Sequence, residues 1–99
     1  PLYASSIGLA SKGEFVVGAV SIPSQRELFF TYGNQGSFLN GKRITVKDRR
    51  LKDASVVASF SNSKIFKEIR LKEYSLFGKV NEAARTALRL GSAAVNICY

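Results

Sequence analysis

An α+β domain, an antiparallel meander sheet followed by helices, is the fold class this sequence predicts, and three observations predict it. Residues 36–44, Gly-Ser-Phe-Leu-Asn-Gly-Lys-Arg-Ile, set Asn40-Gly41 between apolar β-formers. Asn-Gly there is a strong hairpin signal, because both residues tolerate the positive φ of a tight primed turn. Three apolar runs separated by turn residues lead into that hairpin. After Val46 the pattern changes to short polar capping residues followed by a loosely helical periodicity.

The elements follow in order. Residues 2–10 read as a strand with Tyr3, Ile7 and Leu9 as its larger side chains. Ser11-Lys12-Gly13 reads as a three-residue hairpin with Gly13 in the left-handed position. Residues 14–22 carry Phe15, Val16, Val17, Ala19, Val20 and Ile22, a nearly continuous apolar run expected to be central and covered on both faces. Gly18 inside it marks a bulge or close backbone approach. Pro23 ends the ladder because it has no N–H to donate. Residues 27–32, with Leu28, Phe29, Phe30 and Tyr32, form the third strand, and residues 33–36 a loop that needs permissive dihedrals.

Residues 47–54 read as a polar connection and 55–60 as a further strand. Ser61-Asn62-Ser63 offers a helix start. A helix is expected over 64–76, with Ile65, Phe66, Ile69, Leu71 and Leu76 on one side, ending before Glu73-Tyr74-Ser75 or at Leu76, with Gly78 as a break. Residues 81–86 are open between helical turn and loop, and 87–90 read as a short strand. Residues 91–99 resemble the start of a buried helix, with Ser92 as cap and Ala93 and Ala94 allowing close packing. The free N–H groups of such a start suit an anion or hydroxyl. The chain stops at Tyr99 without a cap, so its 99 residues are expected to form one partial domain.

Composition bounds the function. With 45% hydrophobic residues over 99 positions there is room for one modest core. No apolar run approaches the roughly 18 residues of a membrane helix, and Pro1 opens no signal-peptide pattern. A single cysteine, Cys98, cannot form an internal disulfide and is expected as a core thiol in a reducing compartment, by default the cytoplasm.

The net charge of +8 attracts polyanions in general. Lys42, Arg43, Lys47, Arg49, Arg50 and Lys52 cluster after the hairpin, but no aromatic residues interleave with them as in single-strand binders. The run reads as a solvated face, with a polyanion site or a protein interface as alternatives. There is no His, which excludes His-based acid–base work and triads, and one Cys excludes a zinc cluster. The carboxylates Glu14, Glu27, Asp48, Asp53, Glu68, Glu73 and Glu82 are scattered, and no phosphate-cradling glycine spacing is present.

The strands and the stretch Gly36-Ser37-Phe38-Leu39-Asn40-Gly41-Lys42-Arg43-Ile44-Thr45-Val46 precede a second marker. This is Arg89-Leu90-Gly91-Ser92-Ala93-Ala94-Val95-Asn96-Ile97-Cys98-Tyr99. In order and spacing the chain resembles the middle of the inositol monophosphatase family, including its archaeal fructose 1,6-bisphosphatase members. The resemblance implies a magnesium-dependent phosphomonoesterase of layered α/β/α/β/α architecture, of which this chain is a partial segment. Carboxylate-held metal ions would activate water there. The family draws those acids from a Glu and an Asp-Pro-Ile-Asp-Gly-Thr type motif before this region and a Trp-Asp type motif after it. None is present, so no catalytic or metal residue is assigned to this chain, and alone it is expected to be inactive.

By the same resemblance, Gly91, Ser92 and Ala93 contact the sugar or inositol through their backbone. Many relatives carry an Arg three residues before that Gly, where Leu88 stands here with Arg89 displaced by one position, and Asn34 stands where many have Gly. The expected ligand is a small phosphate ester of the inositol 1-phosphate or fructose 1,6-bisphosphate class. A homodimer is expected, since exposed sheet edges invite pairing; membrane and nucleic-acid partners are not. The alternative is a non-enzymatic basic module that binds RNA or another polyanion.

Overall fold

The computed structural model describes residues 2–59 and 67–99. Its first half is a five-stranded antiparallel sheet in sequential order, β1 (Ser5–Ser11), β2 (Glu14–Ile22), β3 (Glu27–Tyr32), β4 (Ser37–Leu39) and β5 (Lys42–Ile44). The expected meander is present, and its tight reversals run through positive φ. At the β4–β5 turn Asn40 has φ 49° and Gly41 φ 82°, the two positive values a tight primed hairpin requires. Lys12 and Gly13 do the same between β1 and β2, at φ 52° and 83°. That hairpin has two loop residues rather than the expected three, because Ser11 already pairs with Glu14.

Leu9 pairs with Val17 while Ala10 pairs with Phe15, so the bulge in β2 falls at Val16 and not at Gly18. A Cβ on Gly18 would meet the Thr31 methyl at 3.5 Å, an ordinary contact. The Val16 carbonyl accepts from Gly33 N–H at 2.8 Å, one step past the Val17–Tyr32 pair, which anchors the start of the loop after β3.

The pairing separates the sheet's two faces. One carries Ile22, Phe29, Val20, Leu39 and Ile44, which pack with Val95, Leu90 and Cys98 around the fully buried Ile22 and Val95. The other carries Ile7, Leu9, Val17 and Leu28, all exposed, with Phe30, Tyr32 and Phe38 stacked on one another at ring-centroid distances of 5.1–6.3 Å. Cover on both faces of β2 was expected from its continuous apolar run. Among the described residues only one face is covered, because the helix that reaches β2 lies on that side.

The second half holds β6 (Ser55–Val57), α1 (Lys67–Ala83), β7 (Thr86–Leu88) and α2 (Ala93–Cys98). β6 and β7 pair in parallel, Ser55 with Thr86 and Val57 with Leu88, and α1 lies in the connection between them. Parallel strands need a long crossover, which a helix supplies. The strand end at Phe60 and the helix start at 61–63 lie outside the described residues.

The expected end of α1 near residues 73–76 and the break at Gly78 are both overturned: the helix runs 17 residues, through Gly78, to Ala83. Ile69, Leu71 and Leu76, expected on its inner side, are exposed. The less exposed positions are instead Arg70, Glu73, Phe77 and Val80, followed by buried Ala84, at spacings of three and four residues. That stripe packs α1 toward β7, which outweighs the cost of about 1 kcal/mol for a helical glycine.

Candidate functional site

The parallel pair brings the carboxyl ends of β6 and β7 side by side. Ala58 N–H donates to the Leu88 carbonyl at 2.9 Å, continuing the ladder one step past the strands. In open α/β arrangements the ground beyond such strand ends is where ligands bind. Here Ser59 stands past β6, and Gly91-Ser92-Ala93 follows β7 after Arg89 and Leu90.

Gly91 has φ +83°, a conformation L side chains rarely adopt, and an added Cβ would meet nothing within 4 Å. The glycine therefore serves the backbone reversal and leaves the turn open to approach. Ser92 is extended at φ −127°, ψ 123°, and its Oγ accepts from Val95 N–H at 3.5 Å as the cap of α2. The first bond of the helix runs from Asn96 N–H to the Ser92 carbonyl at 2.9 Å. Ala93 and Ala94 precede it, so their N–H groups have no carbonyl of their own helix to donate to. The expected helix start is thus present, but α2 is six residues long, only Val95 is buried, and Ile97 is 87% exposed.

Two side chains, one within α2 and one at its C-terminal cap and neither singled out in the sequence, tie it to both sheets. The Asn96 amide nitrogen donates to the Ala58 carbonyl at 3.1 Å and to Ser59 Oγ, joining α2 to the end of β6. Tyr99 Oη donates to the Glu27 carboxylate at the start of β3, and its ring meets Phe29 edge-on at 5.7 Å. That hydrogen bond pushes the Tyr99 phenol up to about 12, aided by burial and by the Glu27 charge. Burial, then the same carboxylate, raises the Cys98 thiol; Cys98 is half-buried rather than enclosed. The one available sequence signal for Asn96 was a polar amide inside the apolar run 93–98.

Other candidates carry less. Among the described residues no three His, Cys, Asp or Glu side chains converge as metal ligands would, so they do not fit a magnesium site. The basic run is exposed as expected, and Arg50 Nε meets Asp53 Oδ2 at 3.4 Å in a pair too solvated to count for much. An open concavity of about 800 Å³ lies against the sheet, lined by Gly8, Gly18, Val20, Thr31, Ile44 and Cys98 among others. No carboxylate lines it and the Gly91 turn is not part of it, which suits packing better than chemistry. Leu88 ends β7, with Arg89 exposed just beyond.

Known proteins share this arrangement. The sequence profile of the inositol monophosphatase family matches residues 1–99. A fructose-1,6-bisphosphatase/inositol-1-monophosphatase of Aquifex aeolicus is 37% identical over 99 residues, covering 99% of this chain and 37% of its own length. The crystal structure of the extragenic suppressor protein suhB from Bartonella henselae matches with a TM-score of 0.85 at 28% identity, over 97% of this chain and 37% of that one. The inositol monophosphatase of Anabaena matches with 0.84 at 27% identity, over 96% and 37%. The chain therefore spans a little over a third of these relatives' length. A profile match across the whole chain and a shared fold at these scores carry one conclusion: this chain belongs to the inositol monophosphatase family.

Proposed function

We propose that the protein carrying this chain is a magnesium-dependent phosphomonoesterase of the inositol 1-phosphate or fructose 1,6-bisphosphate class, and that these residues supply its sugar-facing turn. The observation that carries the reading is the Gly91-Ser92-Ala93 turn, open at Gly91 and set beyond the carboxyl ends of β6 and β7 in a chain of this family. Its backbone N–H groups suit hydroxyl or anionic oxygens, and the small side chains of Ala93 and Ala94 let a ring approach the main chain. The turn orients substrate and moves no proton. Magnesium is the expected cofactor, with its carboxylate ligands supplied from outside these 99 residues. The 99 residues are a partial domain of a cytoplasmic enzyme that pairs as a homodimer, with no nucleic-acid partner; the free thiol of Cys98 supports the reducing compartment.

The test is phosphate release from inositol 1-phosphate and fructose 1,6-bisphosphate with magnesium, by the whole protein and by the 99-residue chain. Release by the whole protein alone is expected. Release by the 99-residue chain would overturn the placement of the metal ligands, and no release by the whole protein would overturn the reading itself. The exposed cations at 47–52 support the competing reading, a basic module for RNA. Replacement of Arg49, Arg50 and Lys52 by Ala should then weaken salt-sensitive RNA retention, and unchanged retention ends that alternative.

A further inference from the structure

We infer that Asn96 is the positioning residue of the Gly91-Ser92-Ala93 turn, fixing it against the end of β6; the inference rests on that turn's proposed contact with substrate. A carbonyl can only accept, so the group facing Ala58 O is the amide nitrogen, and its second proton goes to Ser59 Oγ. The backbone of the same residue donates to the Ser92 carbonyl at 2.9 Å. One residue thus closes the helical turn that Ser92 opens and, through its side chain, holds it to a strand end 37 and 38 residues earlier in the chain.

Stability alone does not explain an Asn here. Asn is a weak helix former, and its Oδ1 is buried without a hydrogen-bond partner among the described residues, an arrangement that costs rather than stabilises. An apolar residue would suit packing beside Val95. What the amide supplies is a directional link between the two strand ends, so that the turn after β7 has one distance from the segment leaving β6. Such local conflicts gather where position matters more than stability.

The experiment compares whole-protein Asn96→Ala, Asn96→Asp, Ser59→Ala and Tyr99→Phe by amide hydrogen exchange over 91–95 and by steady-state hydrolysis of inositol 1-phosphate. Asn96→Ala should speed exchange over 91–95 about tenfold and raise KM about five- to twentyfold with kcat within about threefold. Asn96→Asp keeps the shape but turns an oxygen toward the Ala58 carbonyl, and it should behave like Ala. Ser59→Ala, at an exposed position, removes one bond and should move both readouts by less; it carries the test if the Asn96 variants do not fold. Tyr99→Phe cuts the other tether of α2 and should leave KM unchanged.

A lower melting temperature with unchanged KM in the Asn96 variants would reduce the residue to a structural role and overturn the inference, as would an equal KM effect from Tyr99→Phe. If the whole protein hydrolyses no phosphate ester, the functional reading fails separately. Exchange then decides the link: faster exchange in Asn96→Ala and Ser59→Ala upholds it, and unchanged exchange in both overturns it.

Discussion

Asn40 holds Leu28 at both backbone atoms: its own N–H donates to the Leu28 carbonyl at 2.9 Å, and its Oδ1 accepts from Leu28 N–H at 2.8 Å. Its Nδ2 donates to the Arg26 carbonyl at 3.1 Å. A residue that the sequence marks as a turn former thus also stitches the β4–β5 hairpin to the first residues of β3. Asn40→Gly keeps the positive φ and loses the side-chain bonds, so it should cost about 1–2 kcal/mol. Asn40→Ala adds the left-handed penalty and should cost about 1 kcal/mol more. Urea midpoints of the two variants check this, and equal costs would show that the side-chain bonds alone carry the position.

Gly78 lies inside α1 with nothing within 4 Å of an added Cβ. Gly78→Ala should therefore stabilise by about 0.5–1 kcal/mol. Gly36 is the contrast. At φ +86° its added Cβ would lie 3.2 Å from the Arg43 guanidinium, so Gly36→Ala should destabilise by about 1–2 kcal/mol even though the arginine tip can swing away. Thermal melts of both variants decide the pair. A lowered melting temperature for Gly78→Ala would mean that α1 does not continue through residue 78.

Tyr99 predicts a pH effect with a definite sign. Its phenol titrates at about 12 in the folded chain, above the ordinary value near 10, so the folded state keeps a proton that the unfolded state releases. The stabilisation is fully present below about pH 10 and is lost as pH rises toward about 12. The stability difference between the native protein and Tyr99→Phe should shrink across that window, with one tyrosinate absorbance step near 12 missing from the variant. A constant difference would show that Glu27 does not hold the phenolic proton.

Gly91 is required by its own φ of +83°. Gly91→Ala should lower kcat/KM for inositol 1-phosphate about tenfold or more, because a strained turn misplaces the N–H groups beyond it. The melting temperature should fall by only a few degrees, as expected for about 1–2 kcal/mol of left-handed strain. Unchanged kinetics in a folded variant would remove the turn from the substrate site.

Reversals were legible in the sequence because their chemistry is local. Asn40-Gly41 and Gly13 declare positive φ through residue type, and the apolar runs between them declare strands, whereas the positive φ of Lys12 carries no such signal. The helix start at Ser92 was legible on the same terms, as a hydroxyl cap before small residues, while the left-handed φ of Gly91 emerged only with the structure. The length of α1 was not. Gly78 argues for a break worth about 1 kcal/mol, and only the stripe from Arg70 to Ala84 packed toward β7 shows that the break loses.

The sequence by itself thus determined the hairpin positions, the β-rich first half, the family likeness and the helix start at Ser92. Tertiary structure alone decided which face of β2 is covered, that β6 and β7 run parallel, and that Asn96 and Tyr99 bind α2 to two sheets. The reason is sequence separation: a dihedral preference is written at the residue that has it, whereas the partners of Asn96 and Tyr99 stand 37 to 72 residues away and become neighbours only when the sheets pack.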